Sequence, residues 1–255
     1  MMTSVPAARP AEQRTWHNRL QKLALAVDDS REYWRNADPS ARPDEENLRA
    51  FTERWFGGKT MARVRVLMAD FRSRYAAYPQ ALEVLRNLRG AHPDLLRLVC
   101  HWHLQLADPA YRTFTGVWLP ERRSFEATVD FPSTLRWVID TNPKNWKTST
   151  ARQMAGKLLS AATGAALIEP GTKSRHPLVP RVPDEAIGYL MHLLREIDFE
   201  GTILDNEYLA SVGLAGGHIE RRLLALPWIR VARTGNVMDA EWRYPTLSSW
   251  AEANL

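Results

Sequence analysis

Apolar residues recur along most of the chain at the three- and four-residue spacing of an amphipathic helix. The clearest case begins after Thr60, which is a good N-cap residue. Its apolar face is formed by Val64, Leu67, Met68, Phe71 and Tyr75. The same spacing predicts further helices over 12–36, 44–55, 79–90, 93–107 and 109–119. With almost no strand pattern between them, residues 15–120 are predicted to form an all-α domain.

After Pro120 the pattern changes. A short helix is expected over 133–140, and a longer one begins near Thr148. The apolar pairs Leu167-Ile168 and Leu178-Val179 then flank a polar tip, which predicts a short edge hairpin. Helix, turn, helix and hairpin is the order of a winged helix, so residues 121–183 are predicted to form one winged-helix-like unit.

Residues 184–255 repeat this order without repeating the sequence. Helices are predicted over 183–199, 204–214 and 216–227, and a hairpin over 228–244 around Thr234-Gly235-Asn236. The expected fold is therefore mainly α, with an N-terminal helical domain followed by two winged-helix-like units.

Composition, the longest apolar run and the cysteine count predict the location of the protein. Residues 1–14 are polar and rich in Pro and Ala, and they predict a disordered lead-in without the apolar centre of a signal peptide. No apolar run reaches the roughly 18 residues of a membrane helix, so no membrane association is expected. The single cysteine, Cys100, has no partner for an internal disulfide, which fits a reducing, cytoplasmic location.

The net charge is +5, and it is unevenly distributed. Residues 121–183 hold 10 Lys or Arg against 5 Asp or Glu, whereas residues 184–255 hold 6 against 11. The middle segment is thus the most cationic per residue and is the candidate for contact with a polyanion. An ordinary solvated surface is the alternative explanation of the same charges.

The helix that begins near Thr148 is the first candidate for binding DNA. Thr148, Ser149 or Thr150 is expected to cap it, and its free N–H groups would suit a phosphate. The predicted contacts of this surface are Lys144, Lys147, Thr148, Arg152, Lys157, Lys173 and Arg175. A possible second patch consists of Arg63, Arg65, Arg72 and Arg74, which lie largely off the apolar face of their helix. A solvated amphipathic helix remains the alternative.

The remaining motifs give weaker evidence of function. The arginines of the last segment are Arg221, Arg222, Arg230, Arg233 and Arg243, and they lie in an acidic region that suits a protein partner as well as DNA. His101 and His103 are two residues apart and do not face one another on a helix, so a metal site with Cys100 is not expected. The common catalytic and nucleotide-binding signatures are absent from the sequence, and neither enzymatic activity nor a cofactor is expected.

Three stretches nevertheless resemble one family. They are RVRVLMADFRSRY at 63–75, LRLVCHWHLQLADPAYRTF at 96–114 and, above all, NWKTSTARQMAGKLLSAATGAALIEPG at 145–171. They are similar to the BrxA (DUF1819) family of the bacteriophage-exclusion (BREX) defence systems, over roughly residues 55–210. The resemblance implies a small, non-enzymatic, mostly helical protein that binds double-stranded DNA beside methyltransferase, phosphatase-like and ATPase components.

Three hypotheses follow. The first is a DNA-binding component of a BREX-type system, which contacts mainly phosphates. The second is a protein-interaction scaffold of the defence complex. The third is a transcriptional regulator, for which specific base contacts and usually a dimer are needed, and the sequence identifies neither.

Overall fold

A computed structural model describes residues 9–88, 90–234 and 237–255, without the side chains of 231–239, and more than half of these residues are helical. The N-terminal half contains α1 (Val27–Asn36), α2 (Pro43–Thr52), α3 (Met61–Phe71), α4 (Pro79–Arg86), α5 (Pro93–Ala107), α6 (Pro109–Thr113) and α7 (Leu119–Ser124). The C-terminal half contains α8 (Phe131–Thr141), α9 (Thr148–Gly164), α10 (Asp184–Glu196), α11 (Glu207–Ser211), α12 (Gly217–Leu224), β1 (Ile229–Thr234), β2 (Val237–Trp242) and α13 (Leu247–Asn254). The mainly α prediction is confirmed.

Helix α5 is the centre of the core. It is buried on nearly every side, as its apolar composition requires. Its two histidines are satisfied by neutral partners: His101 bonds Tyr111 and Ser211, and His103 bonds Tyr189 and the carbonyl of Arg74. Two of these bonds reach α10 and α11, so residues after 184 share one core with the N-terminal helices. The domain limit predicted between 183 and 184 does not coincide with a break in that core.

The start of the chain differs from its prediction. Residues 1–8 of the expected lead-in lie outside the described residues, but residues 9–14 are ordered. Ala11 bridges Asp198, the amide of Gln13 donates to the carbonyl of Leu106 over 2.8 Å, and Glu12 is buried. Disorder over 9–14 is therefore wrong, because the segment supplies hydrogen bonds and a buried carboxylate to the surface it crosses.

The helix predicted over 12–36 is also interrupted. Only a 3₁₀ turn over 19–21 and α1 are helical. The intervening carbonyls of Leu23, Ala24 and Leu25 accept hydrogen bonds from the buried guanidinium of Arg74. Ala26 then takes a left-handed conformation at φ 50°, which ends any continuous helix before α1.

The segment 121–183 has the predicted order, with a weaker hairpin. After α8, a turn and α9, the chain doubles back through isolated antiparallel bridges, Ile168 with Pro177 and Val129 with Arg175. The amide of Leu178 donates to the carbonyl of Leu167 over 2.7 Å. Proline has no amide hydrogen to donate, so Pro177 limits this pairing to bridges where strands were expected.

The last segment contains the β-hairpin. β1 and β2 pair antiparallel from Ile229 with Trp242 to Thr234 with Val237, while the tight turn predicted at Gly235-Asn236 lies outside the described residues. Behind the hairpin, His192 is surrounded by the rings of Trp228, Trp242 and Trp250. Among the described residues, no helix has both the length and the apolar character needed to cross a membrane.

Candidate nucleic-acid interface

The start of α9 is open. Lys147 is the N-cap residue, with φ −57° and ψ 149°, and no side chain among the described residues caps the first turn by accepting a hydrogen bond. The cap predicted at Thr148, Ser149 or Thr150 is wrong, since these residues form the first turn itself. Thr148 and Ser149 are exposed, so the free N–H groups of this end of the helix dipole face solvent.

Helix α9 has one face in the core and one face in solvent. Its buried residues are Ala151, Met154, Ala155, Leu158, Leu159, Ala161 and Ala162, and they pack toward α8 and the core. Its exposed residues are Thr148, Ser149, Arg152, Gln153, Ser160 and Gly164, and none of them has an apolar side chain. An exposed polar face of this kind is compatible with contact to a nucleic-acid backbone.

The cations of this surface are available for a ligand. Lys144, Lys147 and Arg152 are exposed and Lys157 is half-buried. Among the described residues, none of the four forms an ion pair with a carboxylate. The guanidinium of Arg152 lies 5.4 Å from the ring centre of Phe131, which positions it without neutralising it.

The turn between α8 and α9 is held by contacts among tryptophan rings. Trp16 lies 6.1 Å from Trp137 of α8 and 6.0 Å from Trp146 of the turn, measured between ring centres. At the other end of α8, Asp130 and Ser133 form a capping box, and the hydrogen bonds from Ser133 hold the pKa of Asp130 below its usual range. The ring contacts hold the turn that leads into α9, and the capping box fixes the start of α8.

The hairpin after α9 contributes one of its two predicted cations. Lys173 is exposed at the tip. Arg175 is only 8% exposed, its Nη1 donates to Thr163 over 3.1 Å, and burial lowers its pKa. Arg175 is therefore not available for a phosphate; it ties the hairpin to the end of α9.

Three of the four arginines of the predicted second patch form hydrogen bonds within the protein. Arg74 is 1% exposed and bonds backbone carbonyls of 23–25, while Arg72 bonds Glu46 and Asn47. Arg63 donates to the carbonyl of Lys22. Only Arg65 is exposed without a hydrogen bond among the described residues. A π-helical turn over Arg72–Ala76 follows α3 and changes the direction of these side chains, which helical spacing does not anticipate.

The last segment offers fewer unpaired cations. Arg222 pairs with Asp184 over 2.6 Å and bonds the carbonyl of Val182, and Arg221 donates to the carbonyl of Gly217. Arg230 and Arg243 are exposed, and the side chain of Arg233 lies outside the described residues. The free cations of the described structure are thus denser around α9.

The buried cysteine and histidines of α5 do not form a chemical site. Burial raises the pKa of Cys100 to about 11 and lowers the pKa of His101 to about 3 and of His103 to about 4. No group of three or more metal-binding side chains occurs among the residues that the structure describes. The neutral hydrogen bonds of both rings indicate a structural role.

One surface cation of this region was missed by the sequence analysis. Arg136 is exposed in the middle of α8, the helix that precedes the α8–α9 turn. Its position off the apolar face of a strongly amphipathic helix is the signal that identifies it.

Comparison with known proteins gives the fold alone. No family model matches the chain, and no curated protein matches it in sequence. Among solved structures, the chain is similar to the crystal structure of an uncharacterized protein from Magnetospirillum magneticum, with a TM-score of 0.58 and 13% sequence identity. The match covers 78% of this chain and 98% of that one, so the two proteins share most of one fold.

Proposed function

We propose that the protein is a non-enzymatic, double-stranded DNA-binding component of a BREX-type phage-defence system. The observation that supports DNA binding is a group of positively charged side chains without ion pairs around the uncapped start of α9. They are Lys144, Lys147, Arg152 and Lys157. Lys173 adds a cation on the hairpin that follows. Helix α8, the turn, α9 and this hairpin then act together as a winged-helix-like unit, with α9 as the helix against DNA.

Phosphate contacts are expected to dominate the binding. The cations surround free N–H groups, and both features suit an anionic backbone more than base edges. The exposed Thr148 lies in that first turn and is placed to donate its hydroxyl to a phosphate oxygen. Weak sequence preference and a steep dependence on salt follow from this type of contact.

A duplex-DNA titration at several salt concentrations tests the proposal. The test variant is Lys147→Ala/Arg152→Ala/Lys157→Ala. Each lost phosphate contact lowers the slope of log affinity against log salt by roughly 0.9, so the triple variant should lose about 2.7. Between 50 and 200 mM salt, wild-type affinity should then fall roughly 40-fold more than that of the variant.

A charge-matched control distinguishes the effect of losing the proposed site from the effect of losing three positive charges. Arg9→Ala/Arg35→Ala/Arg42→Ala removes the same charge from exposed positions outside α8 and α9. It should retain most of the wild-type slope. Absence of wild-type binding at low salt would refute DNA binding, and equal slopes for all three proteins would refute the assigned surface.

The defence assignment rests on the sequence resemblance and is tested separately. We expect co-purification with the methyltransferase, phosphatase-like or ATPase components encoded beside the gene. A genomic neighbourhood without such components, together with unimpaired phage exclusion after deletion of the gene, would contradict it.

An interaction scaffold is the second candidate, favoured by an apolar surface. Phe125 is 81% exposed, and Val179 and Leu178 are 54% and 36% exposed. Arg123 donates to the carbonyl of Leu178 over 2.9 Å, which holds the two segments together. Phe125→Ser should weaken partner capture and leave DNA affinity unchanged if this surface binds protein.

A further inference from the structure

A second cationic surface lies where the segment before α1 meets α3. Arg19, Lys22 and Arg65 line a groove of about 360 Å³, together with Val66, Ala69 and Asp70. All three cations are exposed. Of the four arginines of the predicted patch only Arg65 lines the groove, and Arg19 and Lys22 were not predicted, so the groove is a different site from the predicted patch.

The three side chains have no hydrogen-bonded or ion-paired partner among the described residues. Among the described residues, Arg19, Lys22 and Arg65 form no side-chain hydrogen bond and no ion pair. Their neighbour Arg63 shows the contrast, because it is used internally by the carbonyl of Lys22. The single carboxyl group in the groove, that of Asp70, can compensate at most one of the three positive charges, so an external anion near them is favourable.

The floor of the groove restricts the kind of anion. Asp70 is 6% exposed, one of its carboxyl oxygens has no hydrogen-bond partner, and burial raises its pKa while Arg74, Arg19 and Lys22 oppose the rise. A carboxyl group at this depth disfavours a small anion that enters the groove. The cations on the rim instead suit an extended polyanion lying across it.

The groove adjoins the start of α9. The side-chain amide of Gln21 donates to the carbonyl of Thr150 over 3.1 Å, and the next residue, Lys22, accepts from Arg63 of α3 over 2.9 Å. These two hydrogen bonds connect α9, the 19–22 turn and α3 in sequence. A duplex against the start of α9 therefore has the groove beside it.

We propose that Arg19, Lys22 and Arg65 form a second contact with the backbone of the same DNA duplex that α9 binds. This inference rests on the proposed DNA-binding function and adds the helical domain to the interface. The α9 contacts then position the duplex, and the groove adds affinity through phosphates further along the helix axis.

The test compares three variants of the full chain in the same salt series: Arg19→Ala/Lys22→Ala/Arg65→Ala, the α9 triple variant and the control Arg9→Ala/Arg35→Ala/Arg42→Ala. In the groove variant, the slope of log affinity against log salt should be smaller than in the wild type by about 2.7. Between 50 and 200 mM salt its affinity should therefore fall about 40-fold less than that of the wild type. A milder variant, Lys22→Gln/Arg65→Gln, should lose about 1.8, or about 12-fold over the same range.

The outcomes separate the inference from the proposed function. Normal wild-type binding, an impaired α9 variant and a groove variant equal to the control would overturn the inference and leave the proposed function intact. No wild-type binding would overturn both. Reduced slopes in both the α9 and groove variants, with circular dichroism unchanged, support the shared interface.

Discussion

Acidification should destabilise this fold through the two buried histidines of α5. The pKa of His101 is about 3 and that of His103 about 4 in the folded protein, against an ordinary value of 6.5, because burial penalises the charged ring. Well above pH 6.5 both rings are neutral in the folded and unfolded states, and they make stability independent of pH. Below pH 6.5 the unfolded chain takes up the protons that the folded chain refuses, so stability falls with pH.

The magnitude follows from the size of the pH step. At pH 5 each unfolded histidine lies about 1.5 pH units below its pKa, which corresponds to about 2 kcal/mol per ring. Together the two rings should remove about 4 kcal/mol between pH 7 and pH 5, a large fraction of the 5–15 kcal/mol that stabilises a typical domain. The loss should continue as the pH falls toward 4, where His103 begins to be protonated in the folded state.

Urea unfolding at pH 7, 6 and 5 measures this loss, and His103→Gln isolates one ring. Glutamine retains a donor and an acceptor for the carbonyl of Arg74 and the hydroxyl of Tyr189. The variant should be less stable at pH 7, but its loss between pH 7 and 5 should be about 2 kcal/mol smaller than that of the wild type. The exposed His218→Gln serves as the control.

The difference between variants matters because other groups titrate as well. Burial raises the pKa of Asp70 and of Glu207, and protonation of these carboxyls favours the folded state as the pH falls. They therefore act against the histidines but equally in both proteins. Identical losses for the wild type and His103→Gln would show that the buried imidazole is not the cause.

Two further predictions concern packing and the start of α8. A methyl group at Gly188 would overlap the indole ring of Trp250, so Gly188→Ala should cost about 1–3 kcal/mol, whereas Gly58→Ala, which meets open space, should change the melting temperature little. A neutral Gly188→Ala in thermal unfolding would contradict the packing. Asp130→Ala removes the capping box with Ser133 and should lower the free energy of unfolding in urea by about 0.5–2 kcal/mol. An unchanged urea midpoint would show that the capping box does not stabilise the protein.

The helix pattern was predictable, because burying one face of each helix imposes its spacing on the sequence. The spacing after Thr60 predicted α3, and its apolar positions are buried as expected. The spacing could not predict Arg74, since a guanidinium buried against the carbonyls of 23–25 looks, in sequence, like one in solvent. Only the tertiary contact between two distant segments distinguishes the two cases.

The candidate site was predictable in composition and less so in geometry. Charge density selected the segment around α9, where Lys147 and Arg152 are exposed. At the tip of the hairpin after α9, Lys173 is exposed and stays a predicted contact, whereas Arg175 turns inward to Thr163. The groove was not predictable, since Arg19 and Lys22 lie far from Arg65 in the chain and meet it only after folding.

The strap over residues 9–14 has a consequence for the order in which a growing chain acquires its structure. The hydroxyl of Tyr208 donates to the carboxylate of Glu12, 196 residues earlier, and the amide of Glu200 donates to the same side chain. These two hydrogen bonds of Glu12 cannot form until Glu200 and Tyr208 have left the ribosome, whereas the bond from the amide of Gln13 to the carbonyl of Leu106 needs only α5. During synthesis the segment can therefore lie on the N-terminal helices first, and the buried carboxylate of Glu12 obtains its full set of partners only after most of the chain has been made.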